Sequence, residues 1–577
     1  MAAAPLGLSR RDLGLRRDLG LWIWRRDLGL CRRWPAGSGA VGSRPPGLPW
    51  RMRGVRPVGC GAERVCGGRG VVCGSHGFGG VGSGQGAGHL VMRIHRGSKQ
   101  RRENMASSQQ PDKAKPHVLL IPFPAQGHVN PLIRLAKALH MRSFHVTFVH
   151  TEHNHRRLLR SRGPGVVEEV PGFRFETIPD GLPLAELDGI QDIWKLCEAT
   201  RRTCPGHVRE LVERLSRTDG IPPVTCVIAD GAMGFVVHVA KEMGLPAYLF
   251  FTTSACGFLA YLNFDQLVKR GYVPFKDESC FTDGYLDTPM GWITGMISSV
   301  RLRDLPTFIR TTDANDIMVT INIKQCELDA PAADGILLNT FDDLEHTSLA
   351  AIRERLPNTI TIGPLVSLSS YLPSLTSSLW KEDDVCTLWL DKQPDGSVVY
   401  VNFGSITVVS TEQMVEFARG LASAGSPFLW VVRPDMVRDG GLPEGFTEEV
   451  ARRGLIVEWC DQEAVLEHRA TGGFLTHCGW NSTLESLRAG VPMVCWPFFA
   501  EQVTNCMYAR EEWGVGVEMA QQAGREEVEA AVKMLMGDGA MLRNAAEWKE
   551  KAEKAIMLGG SSHGNLERFV QEIRACT

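Results

Sequence analysis

Between residues 115 and 365, apolar runs alternate with segments whose apolar positions recur every three to four residues. HVLLIPFP at 117–124 predicts a buried strand. VNPLIRLAKALH at 129–140 predicts a helix with Asn130 as its cap and Pro131 in its first turn. HVTFVH (145–150), TCVIAD (225–230), ILLNT (336–340) and TITIG (359–363) predict further strands, and GFVVHVAKEMG (234–244) a helix closed by glycine. Residues 366–385, rich in Ser and Leu with an acidic end, predict a linker. The alternation then resumes. SVVYVNFG, PFLWVV, GLIVEW, GGFLTH and VPMVCWP predict strands, and TEQMVEFARGLASAG a helix. The expected fold is therefore α/β, with two doubly wound parallel sheets in residues 105–365 and 386–555 facing a cleft. A helix in residues 556–577 is expected to pack back on the N-terminal domain. In such sheets the carboxyl ends of the strands are the natural ligand sites.

Composition changes this picture only at the N-terminus. The chain of 577 residues has a net charge of -2, yet residues 1–104 hold 19 Lys+Arg against 5 Asp+Glu and 23 of the 61 glycines. They repeat RRDLGL from Arg10, Arg16 and Arg25 and carry no sustained period. A disordered basic extension, upstream of a start at Met105, is expected. Gly82, Gly84 and Gly86 imitate a dinucleotide loop but lack the flanking strand and helix. There is no signal-peptide layout and no apolar stretch of membrane-spanning length. Of 16 cysteines, the 12 outside the extension form no CxxC pair. These features point to reduced thiols and a cytoplasmic location. Neither a nucleic-acid partner nor stable membrane insertion is expected, and the protein is expected to be a monomer.

The densest chemistry lies in residues 459–502, WCDQEAVLEHRATGGFLTHCGWNSTLESLRAGVPMVCWPFFAEQ. GGFLTH ends a strand at His477, and a helix is expected to start near Ser482, with Ser482 and Glu485 as a capping box. A helix N-terminus is an anion site, and His477, Asn481 and Ser482 add donors beside it. A diphosphate suits that point. Trp459 offers a flat face for a base, and Glu501 and Gln502 can bond sugar hydroxyls. Upstream, His128 in PAQGHVNP follows a parallel strand at the mouth of a helix, whose dipole favours a neutral imidazole able to act as base. Asp230 ends another strand on the same sheet edge and can fix the imidazole tautomer.

This combination resembles the signature box of plant UDP-dependent glycosyltransferases, glycosyltransferase family 1. The likeness extends through PFPAQGHVNP, NFGSITV and GGSSHGNLERFV. LDTPMGWITGM, VRLRDLPTFIRTT and LLNTFDDLEH look like its subgroup 85. The resemblance implies the GT-B fold of two Rossmann-like domains, with UDP-glucose as co-substrate, no tightly bound cofactor and no metal. It implies His128 as base and Asp230 as its partner. Trp459, with Cys460 beside it, would stack on uracil, and Gln462 would lie by the base and ribose. Glu485 would hold the ribose hydroxyls. His477, Asn481, Ser482 and Ser405 would hold the diphosphate, and Trp480, Glu501 and Gln502 would touch the sugar. Asp461 and Arg469, both often proline in the family, depart from its pattern.

The expected activity is inverting, metal-independent O-glucosyl transfer to a small hydrophobic hydroxylated acceptor of cyanohydrin, terpenoid, cytokinin or phenolic type. Phe123, Phe251, Phe258 and Trp194 suggest its apolar pocket. A non-catalytic UDP-sugar-binding protein and a flavonoid glucosyltransferase are the alternatives. A nicotinamide oxidoreductase would need a Gly-rich loop that PFPAQGHVNP is not. The run His150, His153, His155 lacks acidic or Cys partners for a metal site. Gly560-Ser561-Ser562-His563-Gly564 lacks the strand a nucleophile elbow needs and reads as a cap for the last helix.

Overall fold

The structure, a computed structural model, describes residues 115–163, 170–182, 192–366, 372, 378, 380–383, 385–436 and 441–576. The basic extension, its glycine run and most of the expected linker lie outside the described residues. Among these residues, thirteen strands form two parallel sheets. The first contains β1 (His117–Ile121), β2 (His145–Thr151), β3 (Phe173–Ile178), β4 (Cys226–Asp230), β5 (Ala247–Phe251), β6 (Gly335–Leu338) and β7 (Thr359–Thr361), in the order β3-β2-β1-β4-β5-β6-β7. The second contains β8 (Val398–Asn402), β9 (Phe428–Val431), β10 (Gly454–Val457), β11 (Thr471–Thr476), β12 (Met493–Cys495) and β13 (Gly516–Glu518), in the order β10-β9-β8-β11-β12-β13. Both are doubly wound, and both reverse direction at a neighbouring pair, β1 with β4 and β8 with β11. Such a reversal opens a crevice at the carboxyl ends of the two strands.

The helices that position the site are α1 (Gln126–Met141), α2 (Ile193–Ser216), α3 (Ala255–Leu262), α4 (Ile317–Lys324), α5 (Gln462–Glu467), α6 (Trp480–Ala489), α7 (Gln502–Glu511), α8 (Gly539–Ile556) and α9 (Ser561–Ala575). The last helix lies on the first sheet. Phe569 and Ile573 are buried with Val118, Leu120, Phe144 and Tyr248, each such side chain contributing about 1.5–3 kcal/mol. Asn565 donates to the Thr361 carbonyl at 2.9 Å, and the Tyr248 hydroxyl donates to Glu572 at 2.6 Å. Gly560 is the N-cap residue of α9, without a side-chain cap bond. A Cβ there would lie 2.1 Å from the Lys554 carbonyl oxygen. His150 is buried in the first domain, its ring stacked on Phe175. No helix among the described residues is long and apolar enough to cross a membrane.

Two helix starts differ from the sequence expectation. α1 begins at Gln126, after Ala125 and without a side-chain cap, so Asn130 lies inside it and accepts from the Gln126 amide. Pro131 is thus interior. Its missing N–H leaves the Gly127 carbonyl without the usual donor four residues on. That carbonyl instead accepts from Asn481 Nδ2, in the second domain, at 2.6 Å. The second difference is α6, which starts at Trp480 behind Gly479, again with no side-chain cap. Ser482 and Glu485 therefore form no capping box.

Candidate active site

A cavity of about 700 Å³ runs between the carboxyl ends of the two sheets, at both points of reversal. All thirteen residues singled out from the sequence line it: His128, Asp230, Ser405, Trp459, Cys460, Gln462, His477, Trp480, Asn481, Ser482, Glu485, Glu501 and Gln502.

On the first sheet, β1 leads into α1, which carries His128, and the neighbouring β4 ends in buried Asp230. His128 Nδ1 lies 2.8 Å from Asp230 Oδ2, so the ring donates from Nδ1 to the carboxylate and keeps Nε2 as its acceptor. Thr252 Oγ1 lies 3.0 Å from the same nitrogen. The other carboxylate oxygen, Asp230 Oδ1, accepts from the Ala232 amide at 2.8 Å and so caps the turn that follows β4. One side chain thus serves both as cap and as imidazole partner. The expectation that the helix terminus holds the imidazole neutral is corrected here. Burial does push its pKa down, but the charge and hydrogen bond of Asp230, with the charge of Glu501, outweigh that. The pKa sits above its ordinary 6.5.

On the second sheet, β11 ends one residue before His477, and the chain turns through Cys478 at φ 62 into α6. The imidazole of His477 is wedged between two backbone segments. A Cβ on Gly404 or on Gly479 would lie 2.4 Å from its Nε2, so both positions require glycine. This crowding is why α6 has a glycine cap, and it leaves the first amides of the helix without a capping side chain. Burial, then the charge of Arg433, pushes the His477 pKa down to about 4, so the ring is neutral.

Gln462 organises the rest. Its amide donates to Ser482 Oγ at 2.9 Å and to Glu485 Oε2 at 2.8 Å, and its oxygen accepts from Asn402 at 2.9 Å. Burial holds the Glu485 carboxyl above its usual range, against the pull of Arg134. Trp459 stacks with Trp380 at 5.9 Å between centroids, and the Cys460 thiol lies 3.4 Å from Tyr400 Oη. The Trp480 indole donates to the Asn339 carbonyl at 2.9 Å. Glu501 accepts from the Tyr261 hydroxyl at 3.0 Å, and Gln502 accepts from the amides of Phe498 and Phe499. Ser405 follows Gly404 on the cavity wall.

The apolar part of the cavity differs from the expected set. Phe123 and Phe251 line it, but Phe258 is fully buried behind Phe251, with ring centroids 4.0 Å apart, and Trp194 packs against Phe308. Tyr261, Phe308, Met318, Ile321 and Phe499 complete the wall, with Asn322 and Gln325 at its polar end. Sequence reasoning also missed Arg134, Asn402, Thr252 and Arg433. For Arg134 a signal existed. Asn130, Arg134 and Lys137 form a polar stripe at helical spacing in an otherwise apolar segment, and all three line the cavity.

Known proteins match this architecture. The family model described as "Glycosyltransferase, N-terminal domain" matches residues 115–289, and that described as "UDP-glucoronosyl and UDP-glucosyl transferase" matches residues 365–549. The chain is 49% identical over 477 residues to UDP-glycosyltransferase 85A3 of Arabidopsis thaliana, covering 80% of this chain and 97% of that one. It is 47% identical over 474 residues to (R)-mandelonitrile beta-glucosyltransferase of Prunus dulcis, covering 80% and 98%. The crystal structure of Os79 from O. sativa in complex with UDP superposes with a TM-score of 0.66 at 30% identity, over 79% of this chain and 100% of that one. Two doubly wound domains around a shared cavity define a GT-B enzyme, and the chain belongs to the plant UDP-dependent glycosyltransferases of glycosyltransferase family 1. Within that family it falls with subgroup 85, and its co-substrate is a UDP-sugar.

Proposed function

We propose that this enzyme transfers glucose from UDP-glucose to the hydroxyl of a small hydrophobic acceptor, inverting the anomeric carbon. His128 Nε2 removes the acceptor proton while Asp230 steadies the imidazolium that forms. The freed oxygen attacks the anomeric carbon from the face opposite UDP. The bond from that carbon to the diphosphate breaks, and UDP leaves. Its developing charge meets the uncapped amides of α6, with Asn481, Ser482, Ser405 and neutral His477 as further donors. Trp459 and Gln462 hold the base, Glu485 the ribose, and Trp480, Glu501 and Gln502 the sugar.

The observation that carries this reading is the 2.8 Å His128–Asp230 contact on the wall of the cavity that also receives the α6 N-terminus. The aromatic wall from Phe123 to Phe499 favours cyanohydrin, terpenoid, cytokinin or phenolic alcohols, and a relative named for mandelonitrile fits that range. The test is UDP release and product mass with UDP-glucose and a panel of such acceptors. A β-linked hexose on at least one of them is expected. UDP binding without transfer to any acceptor would favour the non-catalytic alternative.

A pH profile separates the base from a bystander. Only neutral His128 can take a proton, and it is protonated below a pKa that lies above 6.5. The acid limb of kcat/KM should therefore fall above pH 6.5. Asp230→Asn removes the charge that raises this pKa and should move the limb to lower pH. A limb that stays in place in Asp230→Asn would assign it to another group.

A further inference from the structure

Behind the loop that joins His477 to α6, three thiols converge from three different elements. Cys478 follows β11, Cys495 ends β12 and Cys506 lies in the second turn of α7. Each is 1% exposed, and their sulfur atoms all lie within 4.8 Å of one another. They are 17 and 11 residues apart in sequence, so the sheet order alone brings them together. Room for them is specific. A Cβ on Gly516 of β13 would lie 3.0 Å from Cys495 Sγ. The Cys478 backbone is held in a left-handed turn, with its carbonyl accepting from Asn505 Nδ2 at 3.0 Å.

We propose that these three cysteines form a binding site for a soft divalent cation of the zinc and cadmium group, separate from the transfer chemistry. Small buried thiols can serve merely as apolar filling. Filling does not require three sulfurs at one point, whereas trigonal coordination does. Metal–sulfur bonds of about 2.3 Å in a plane put the sulfurs about 4.0 Å apart. The present spacing reaches that by shifts of less than an ångström. Among the described residues no histidine or carboxylate joins the group, so the donor set is sulfur alone. Such a set selects soft ions over magnesium or calcium. Binding one divalent ion forms three metal–sulfur bonds and releases three thiol protons, leaving one net negative charge. Arg510, one helical turn beyond Cys506, offers positive charge toward it and is itself paired with Glu511 and Glu518.

The test is titration of the reduced, chelator-treated full chain with cadmium(II), read by sulfur-to-cadmium charge-transfer absorption. The expected result is one more bound equivalent in the wild type and in Cys204→Ala than in Cys495→Ala or Cys506→Ala. Equal stoichiometry in all four would overturn the site. X-ray absorption at the cadmium edge on wild type loaded with one equivalent decides the matter even if the cysteine variants do not fold. Three sulfur neighbours support the site, and a shell of four sulfurs or of oxygen and nitrogen overturns it.

Discussion

His128→Ala is expected to lower kcat by a factor of about 10²–10⁴, the range spanned by a positioned general base, with UDP affinity changed by less than about threefold. Asp230, Thr252 and the edge of the Phe123 ring touch His128 from the first domain, and from the second the charge of Glu501 acts on it. Alanine therefore leaves the α6 N-terminus, Gln462 and Glu485 undisturbed. A residue that only shaped the cavity would raise KM and spare kcat, whereas loss of the base lowers kcat and kcat/KM together. Asp230→Asn should lie between wild type and His128→Ala. It keeps the cap on the Ala232 amide but no longer offers a charged acceptor to Nδ1. Steady-state kinetics beside calorimetric UDP binding makes the check. Full kcat in His128→Ala would sink the mechanism, and lost UDP binding would mean that the helix start itself had moved.

Much of this was legible in the sequence because the parallel strands are continuous apolar runs, and the runs that flank the reversal points are among the clearest. Two of the four edge strands, β3 and β13, were not. β3 alternates Arg174 and Glu176 with apolar residues, and β13 is only three residues long at the rim of its sheet. β5 merges in pattern with the equally apolar α3 that follows it. Local capping rules misplaced α6, because its start is set by a distant packing demand, the imidazole of His477 between Gly404 and Gly479. The same holds for Asn130. A cap signature describes neighbours in sequence, while α1 begins where β1 hands the chain over at Ala125. His128 and Asp230 could be proposed as a pair from their places after β1 and at the end of β4, but Arg134 and Asn402 act on partners 351 and 60 residues away. No periodicity records such distances.

Arg134 leads to the second large effect. Its guanidinium lies in the first domain, and its Nη2 sits 2.7 Å from Glu485 Oε1 and 3.2 Å from Glu463 Oε2 in the second, all three side chains being 14% exposed or less. Nη1 also donates to the Leu365 carbonyl at 3.1 Å. With Gln462 on the other oxygen, Glu485 is engaged on both sides, so ribose hydroxyls would have to share it. Arg134→Met leaves buried Glu485 without its cation, while Glu463 keeps its pair with Arg488; a loss of about 3–5 kcal/mol is expected for a broken buried pair, seen as a lower melting temperature. UDP binding should weaken as well. Glu485 then lacks the charge that opposes its burial and drifts toward the neutral form, and a neutral acceptor holds a hydroxyl about half as strongly. A cycle of Arg134→Met, Glu485→Gln and the double variant measures the link through calorimetric UDP affinities. A coupling of about 1–3 kcal/mol is expected for residues in one network. Additivity within about 0.5 kcal/mol would mean that Arg134 only ties the domains together and has no part in holding the nucleotide.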